Sequence, residues 1–144
     1  MKGSSVGVLV VDDFAQWRRV VVAAVQGKLG LRVIAEAGDG LEAVDKAADL
    51  QPDLVVLDIG LPRLNGIEAA QRIKGASPRS KVLFLTENYS SDVAEAALDT
   101  GASGYVVKSA FAREMVPAVE AVLAGRQFLS DKLSALTVES MQLH

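Results

Sequence analysis

The chain has 144 residues, of which 50% are hydrophobic and 23% are charged, and its formal net charge is −3. This size and composition are typical of a globular domain that buries its own core, and the net charge gives no electrostatic reason to expect nucleic-acid binding by this segment. Since the chain has no cysteine and a single histidine, His144, the sequence excludes disulfides, thiolate or imidazole metal sites and a Ser-His-Asp triad.

No apolar run approaches the roughly 20 residues that cross a bilayer. Residues 1–5 lead directly into a predicted strand and lack the apolar core of a signal peptide. The sequence therefore predicts a cytoplasmic protein without membrane contact.

Short apolar runs alternate with longer segments of helical periodicity, which is the pattern of βα units. We predict strands at residues 6–11, 31–36, 53–58, 81–85 and 104–107. We predict helices at residues 14–29, 41–50, 67–74, 91–100 and 113–124. Five βα units are too few for an eightfold barrel. They favour an α/β fold, namely a flavodoxin-like, doubly wound, five-stranded parallel sheet of order 2-1-3-4-5 with five helices.

Charged residues directly follow or end three of these strands. Asp12 and Asp13 follow the first strand, Asp58 ends the third, and Lys108 follows the fifth. In this topology the carboxyl ends of the strands share one edge, and ligands bind in the crevice between strands 1 and 3. Three carboxylates at such close range repel one another unless a cation is present. The pattern therefore predicts a site for Mg²⁺ and a phosphoryl group.

The residue types also suggest which residues bind the metal ion and which one reacts with the phosphoryl group. Asp13 and Asp58 can supply carboxylate ligands to Mg²⁺, and Asp12 can accept hydrogen bonds from metal-bound water. The backbone carbonyl of Gly60, two residues after Asp58, is close enough to supply a further ligand to Mg²⁺. Asp58 can also act as a nucleophile toward phosphorus, with Lys108 as a second cation. The alternative for Asp12 is a helix N-cap, which explains neither Asp13 nor Asp58.

Four motifs carry a resemblance to a known family. They are VLVVDD at residues 8–13, VVLDIGLPRLNG at 55–66, LFLT at 83–86 and GASGYVVKS at 101–109. Over about residues 5–127 the chain resembles the receiver domain of two-component response regulators. Two segments, IGLPRLNGIEAA at 59–70 and AVLAGRQFLS at 121–130, are most similar in sequence to NarL-type transcriptional regulators.

The resemblance implies that Asp58 accepts a phosphoryl group from a sensor histidine kinase in a Mg²⁺-dependent reaction. Thr86 and Lys108 would hold the phosphoryl oxygens, and Asp58, Thr86 and Lys108 would form the catalytic set. Inward movement of Thr86 would let Tyr105 rotate and would remodel the face of the fourth helix, fifth strand and fifth helix. The alternative for Tyr105 is a half-buried strand residue with a solvated hydroxyl. Residues expected to contribute to the remodelled face are Ala94, Ala97, Leu98, Val107 and Val116.

Two other classes of function, a phosphohydrolase and a phosphate-independent interaction module, are alternatives to a phosphorylated receiver. A phosphohydrolase of small substrates usually needs a second acid two residues after the nucleophile, and that position here is Gly60. We therefore expect only self-catalysed phosphoryl transfer and autodephosphorylation, without metabolic activity. A receiver-like interaction module that works without phosphate is the alternative, although such a module needs none of the five residues Asp12, Asp13, Asp58, Thr86 and Lys108.

We assign residues 1–127 to the receiver domain and residues 128–144 to a linker or to the start of a missing effector domain. NarL-type regulators continue into a DNA-binding helix-turn-helix domain, so we expect the chain to be truncated. Contact with DNA would then occur only through a domain absent from this chain, with transcription as the output. A homodimer is also among the expected assemblies.

Overall fold

The computed structural model describes residues 5–88, 90–131 and 133. Strands and helices alternate along the chain. The strands are β1 Val6–Val11, β2 Leu31–Ala37, β3 Leu54–Leu57, β4 Lys81–Thr86, β5 Gly104–Val107 and β6 Phe128–Leu129. The helices are α1 Ala15–Val25, α2 Gly40–Leu50, α3 Gly66–Ala76, α4 Ser91–Leu98 and α5 Phe111–Leu123, and a 3₁₀ turn at Lys108–Ala110 precedes α5.

The strands form one parallel sheet of order β2-β1-β3-β4-β5-β6. The α/β class, the five predicted helices and the order of the first five strands are confirmed. The prediction of five strands is wrong, because Phe128 and Leu129 pair with Gly104 and Tyr105 as a sixth. A two-residue strand is too short to give an apolar run or an alternating pattern. The division at residue 127 stays a prediction, with the sheet continuing beyond it to Leu129.

The sheet carries helices on both faces. Helices α1 and α5 pack on one face around Val8 and Val10 of β1, and helices α2, α3 and α4 pack on the other around Leu9 and Val11. Successive residues of a strand point to opposite faces, so a strand buried on both sides is apolar throughout. Because the helices pack on the two faces, the carboxyl edge of the sheet stays available for a site.

Several residues expected on the face of α4, β5 and α5 lie beneath it instead. Ala94, Ala97 and Val107 are buried in the core, so the prediction that they contribute to an exposed face is wrong. Leu98 is half-buried, whereas Val116 is 37% exposed. Alanines of a short helix occur on both buried and exposed sides, and their spacing in α4 matches the side that faces the sheet.

In the part of the chain that the structure describes, no helix combines the length and the apolar character that a membrane span requires.

Candidate functional site

The carboxyl ends of β1, β3, β4 and β5 surround a cavity of about 330 Å³. The structure brings six of the predicted site residues together there, namely Asp12, Asp13, Asp58, Gly60, Thr86 and Lys108. Strand order explains this, since β1 and β3 are neighbours and each ends just before its aspartates. The seventh predicted residue, Tyr105, lies within β5 and does not line the cavity.

The three aspartates lie close enough together to hold one ion. A carboxylate oxygen from each of Asp12, Asp13 and Asp58 lies within 4.8 Å of the others. Asp12 and Asp58 are buried and Asp13 is exposed. Oδ1 of Asp12 accepts from the Phe14 N–H at 2.9 Å, and Oδ1 of Asp58 accepts from the Ile59 N–H at 2.7 Å. The N-cap of α1 is Phe14, so the alternative that Asp12 occupies the N-cap position does not hold.

Lys108 bridges the two buried aspartates. Its Nζ lies 2.7 Å from Oδ2 of Asp12 and 3.0 Å from Oδ2 of Asp58, and none of the three side chains is more than 10% exposed. Burial alone would lower the pKa of Lys108, but the hydrogen bonds and charges of Asp12 and Asp58 outweigh it and raise that pKa. Lys108 is therefore a protonated ammonium fixed between two carboxylates.

The cluster keeps an excess of negative charge. Burial raises the pKa of Asp12 and the charge of Asp58 adds to this effect, while the bonds from Lys108 and the Phe14 N–H offset part of it. Apart from Glu87, which also lines the cavity, the three carboxylates and one ammonium of the cluster leave two formal negative charges. A divalent cation with a preference for oxygen ligands would balance them. The donor set thus fits a hard divalent metal ion.

Thr86 and Tyr105 meet at the same backbone residue, Asn88. The Asn88 N–H donates to Oγ1 of Thr86 over a long 3.5 Å, and the Tyr105 hydroxyl donates to the Asn88 carbonyl at 2.7 Å. Tyr105 is 0% exposed, so the alternative of a half-buried tyrosine with a solvated hydroxyl does not hold. Burial, with a contribution from the charge of Asp58, raises the pKa of Tyr105 to about 12.

Sequence reasoning missed the aromatic wall of the cavity. It is lined by Phe14, the N-cap of α1, and by Trp17 in the first turn of that helix. The Trp17 ring centroid lies 5.3 Å from Nζ of Lys108. In the sequence Trp17 fits the apolar stripe of α1, which predicts only core packing. The available signal is its position four residues after Asp13, one helical turn from the acidic pair.

Comparison with known proteins identifies the family. A model described as the response regulator receiver domain matches residues 8–120. The chain is 34% identical over 136 residues to the response regulator GacA of Pseudomonas viridiflava, with 94% of this chain and 64% of the relative covered. It is 38% identical over 128 residues to the transcriptional regulatory protein LnrK of Bacillus subtilis, with coverage of 89% and 58%.

Solved structures agree with the sequence relatives. A LuxR-family two-component response regulator from Aurantimonas sp. superposes with a TM-score of 0.90 at 36% identity, covering 96% of this chain and 99% of that one. The receiver domain of the putative response regulator NarL from Mycobacterium tuberculosis superposes with a TM-score of 0.80 at 29% identity, covering 85% of this chain and 99% of that one. The chain spans 58% to 64% of the length of the two curated relatives given above. The resemblance read from the motifs is confirmed, and the chain belongs to the family of response regulator receiver domains.

Proposed function

We propose that Asp58 is the phosphoryl acceptor of this receiver domain. The observation that carries the proposal is the setting of its carboxylate at the end of β3. Oδ1 is bound by the Ile59 N–H and Oδ2 by Lys108, within a cavity that also holds two further aspartates. One oxygen of Asp58 attacks phosphorus, and the bond from phosphorus to the donor's imidazole nitrogen breaks. The electron pair of that bond returns to the imidazole nitrogen, and the ring leaves as neutral imidazole because it takes up a proton from water.

The metal ligands are proposed on the chemistry of the donor set. Asp13 and Asp58 would hold Mg²⁺ through carboxylate oxygens, Asp12 would accept hydrogen bonds from metal-bound water, and the Gly60 carbonyl would be an additional ligand. When bound, Mg²⁺ supplies positive charge to the phosphoryl oxygens. Lys108 supplies a second cation, and to do so its ammonium exchanges a carboxylate oxygen for a phosphoryl oxygen.

The switch is proposed to run from Thr86 through Asn88 to Tyr105. The Thr86 hydroxyl accepts from the Asn88 N–H only at the limit of hydrogen-bond length, so that bond holds it weakly, and its own O–H can be donated to a phosphoryl oxygen. Movement of Thr86 would disturb Asn88, whose carbonyl anchors the Tyr105 hydroxyl. The Tyr105 carbonyl in turn accepts from the Ser130 N–H at 2.8 Å, just after β6. The switched surface would therefore include the segment that covers the edge of β5.

The phosphoryl donor and the output of this domain are proposed from its relatives. The matched relatives include a transcriptional regulatory protein, and this supports a sensor histidine kinase as phosphoryl donor and transcription as output. DNA binding would belong to an effector domain joined after residues 128–144, in the cytoplasm. A homodimer is compatible with this scheme, and no metabolic reaction is proposed.

Incubation with acetyl phosphate tests the assignment, with intact-mass spectrometry as the readout. We expect one phosphoryl adduct on the wild type in Mg²⁺, none after Mg²⁺ is chelated, and none on Asp58→Asn. The control is Asp49→Asn, which changes an exposed aspartate on α2 and should leave the adduct unchanged. An Asp58→Asn protein that is labelled as fully as the wild type would overturn the proposal. So would an unlabelled wild type that binds Mg²⁺, which would favour a phosphate-independent module.

A further inference from the structure

Trp17 contacts both Lys108 at the cavity and Phe111 at the start of α5. It is the one tryptophan of the chain. Its ring lies 5.3 Å from Nζ of Lys108 and packs edge-on against Phe111, with centroids 5.3 Å apart and planes at 62°. Phe111 begins α5, immediately after the 3₁₀ turn that starts at Lys108. The contact with Phe111 therefore fixes the position of the Trp17 ring relative to the lysine.

Lys108 must change partners when the site is used as proposed above. In the structure its ammonium binds Oδ2 of Asp12 and Oδ2 of Asp58. Under the proposed function those carboxylates are needed by the metal ion and the phosphoryl group. A long lysine side chain that loses two carboxylate partners regains rotamer freedom, and its charge favours bulk water over a buried cavity. Until the phosphoryl group arrives to accept from the ammonium, some other contact has to keep the ammonium at the site.

We propose that Trp17 is a positioning residue that holds the Lys108 ammonium at the cavity through cation–π attraction while Asp12 and Asp58 are engaged. Tryptophan is the best aromatic partner for a cation, and the attraction strengthens when the cation is shielded from water. The Lys108 side chain is only 7% exposed, which provides that shielding. The inference rests on the proposed function of Asp58.

Packing is the competing explanation for Trp17, because its ring also packs against the cluster beneath α1 and α5. Packing alone requires an apolar side chain of suitable size, whereas cation–π attraction requires an aromatic face. The two explanations therefore differ in what they predict for Trp17→Leu and Trp17→Phe. They also differ in whether the effect of either change depends on Lys108.

The first test is a double-mutant cycle on the rate of adduct formation from acetyl phosphate at saturating Mg²⁺. We expect Trp17→Leu to slow the reaction by about three- to tenfold, and Trp17→Phe to restore most of the rate. The Trp17→Leu change should have no further effect in a Lys108→Met background, because the group it acts on is gone. An equal slowing in both backgrounds, or no rescue by Trp17→Phe, would overturn the proposal.

The second test needs no phosphoryl transfer. An indole ring shifts the resonances of protons above its face, so the Cε protons of Lys108 should be displaced in the wild-type NMR spectrum and not in Trp17→Leu. We expect the displacement to persist when Mg²⁺ is added. Its disappearance with Mg²⁺ would mean that Lys108 leaves the ring, which would refute the positioning role. Failure of the wild type to form any adduct would instead refute the proposed function of Asp58.

Discussion

Gly66 offers a direct test of how the fold positions Asp58 at the end of β3. A Cβ atom added there would lie 2.0 Å from the backbone oxygen of Asp58 and 2.7 Å from Cα of Ile59. Both neighbours are main-chain atoms, so neither can rotate away as a side chain could. The Gly66 N–H also donates to the Ile59 carbonyl at 2.8 Å, which holds the start of α3 against the end of β3. Glycine is therefore required here by close backbone approach.

The expected magnitude follows from two opposing effects. Alanine is favoured over glycine in a helix by about 1 kcal/mol, whereas forced overpacking costs about 1–3 kcal/mol and more when backbone must move. We expect Gly66→Ala to lower the free energy of unfolding by about 2 kcal/mol, which a domain of ordinary stability survives. Gly75 lies in the same helix with open space around its Cβ position. Gly75→Ala should raise the free energy of unfolding by about 0.5 kcal/mol.

Urea unfolding of both variants measures these changes, and Mg²⁺ titration followed by Trp17 fluorescence measures the consequence for the site. Because the clash displaces the backbone of Asp58, Gly66→Ala should also bind Mg²⁺ more weakly, whereas Gly75→Ala should not. A Gly66→Ala protein as stable as the wild type, with unchanged Mg²⁺ affinity, would refute the close approach of α3 to β3.

Three further predictions concern charge and hydrogen bonding. Burial, together with the charge of Asp58, raises the pKa of Tyr105 from 10.0 to about 12. The stability from this group is complete below pH 10 and is lost as the pH rises toward 12, by about 3 kcal/mol in total. The free energy of unfolding measured across this range should fall less steeply in Tyr105→Phe than in the wild type, and parallel curves would contradict the assignment. Glu114 is 4% exposed and accepts two hydrogen bonds from the segment after β6. Glu114→Ala should lower the free energy of unfolding by about 2 kcal/mol, whereas the exposed control Glu120→Ala should change it little, and equal effects would refute a specific role. Lys108→Met should bind Mg²⁺ about tenfold more tightly in calorimetry, because no ammonium then competes for the carboxylates, and an unchanged affinity would contradict that competition.

The strands were predictable wherever burial on both faces makes the sequence continuously apolar. Residues 6–11 and 104–107 coincide with β1 and β5. Helix α1 ends at Val25, four residues before the predicted end at residue 29. The chain there turns through positive φ at Gly27, Leu29 and Gly30, and the leucine continues the apolar pattern without belonging to the helix.

The position of the site was predictable from topology, whereas its contacts were not. Strand order alone brings Asp12, Asp58 and Lys108 to one edge. The contact of Trp17 with Lys108 and the bond from Tyr105 to the Asn88 carbonyl depend on rotamers and on how closely separate elements approach. Spacing along the sequence can place Trp17 one helical turn from the acidic pair, but it specifies neither the rotamers nor these distances.

Chemical mapping of the phosphoryl group tests the central claim most directly. Borohydride reduces an aspartyl phosphate to homoserine, so reduction of the acetyl-phosphate-treated protein marks the acceptor residue, which peptide mass spectrometry then locates. The account predicts homoserine at position 58 alone, formed only when Mg²⁺ is present. Homoserine at Asp12 or Asp13 in place of Asp58 would contradict it.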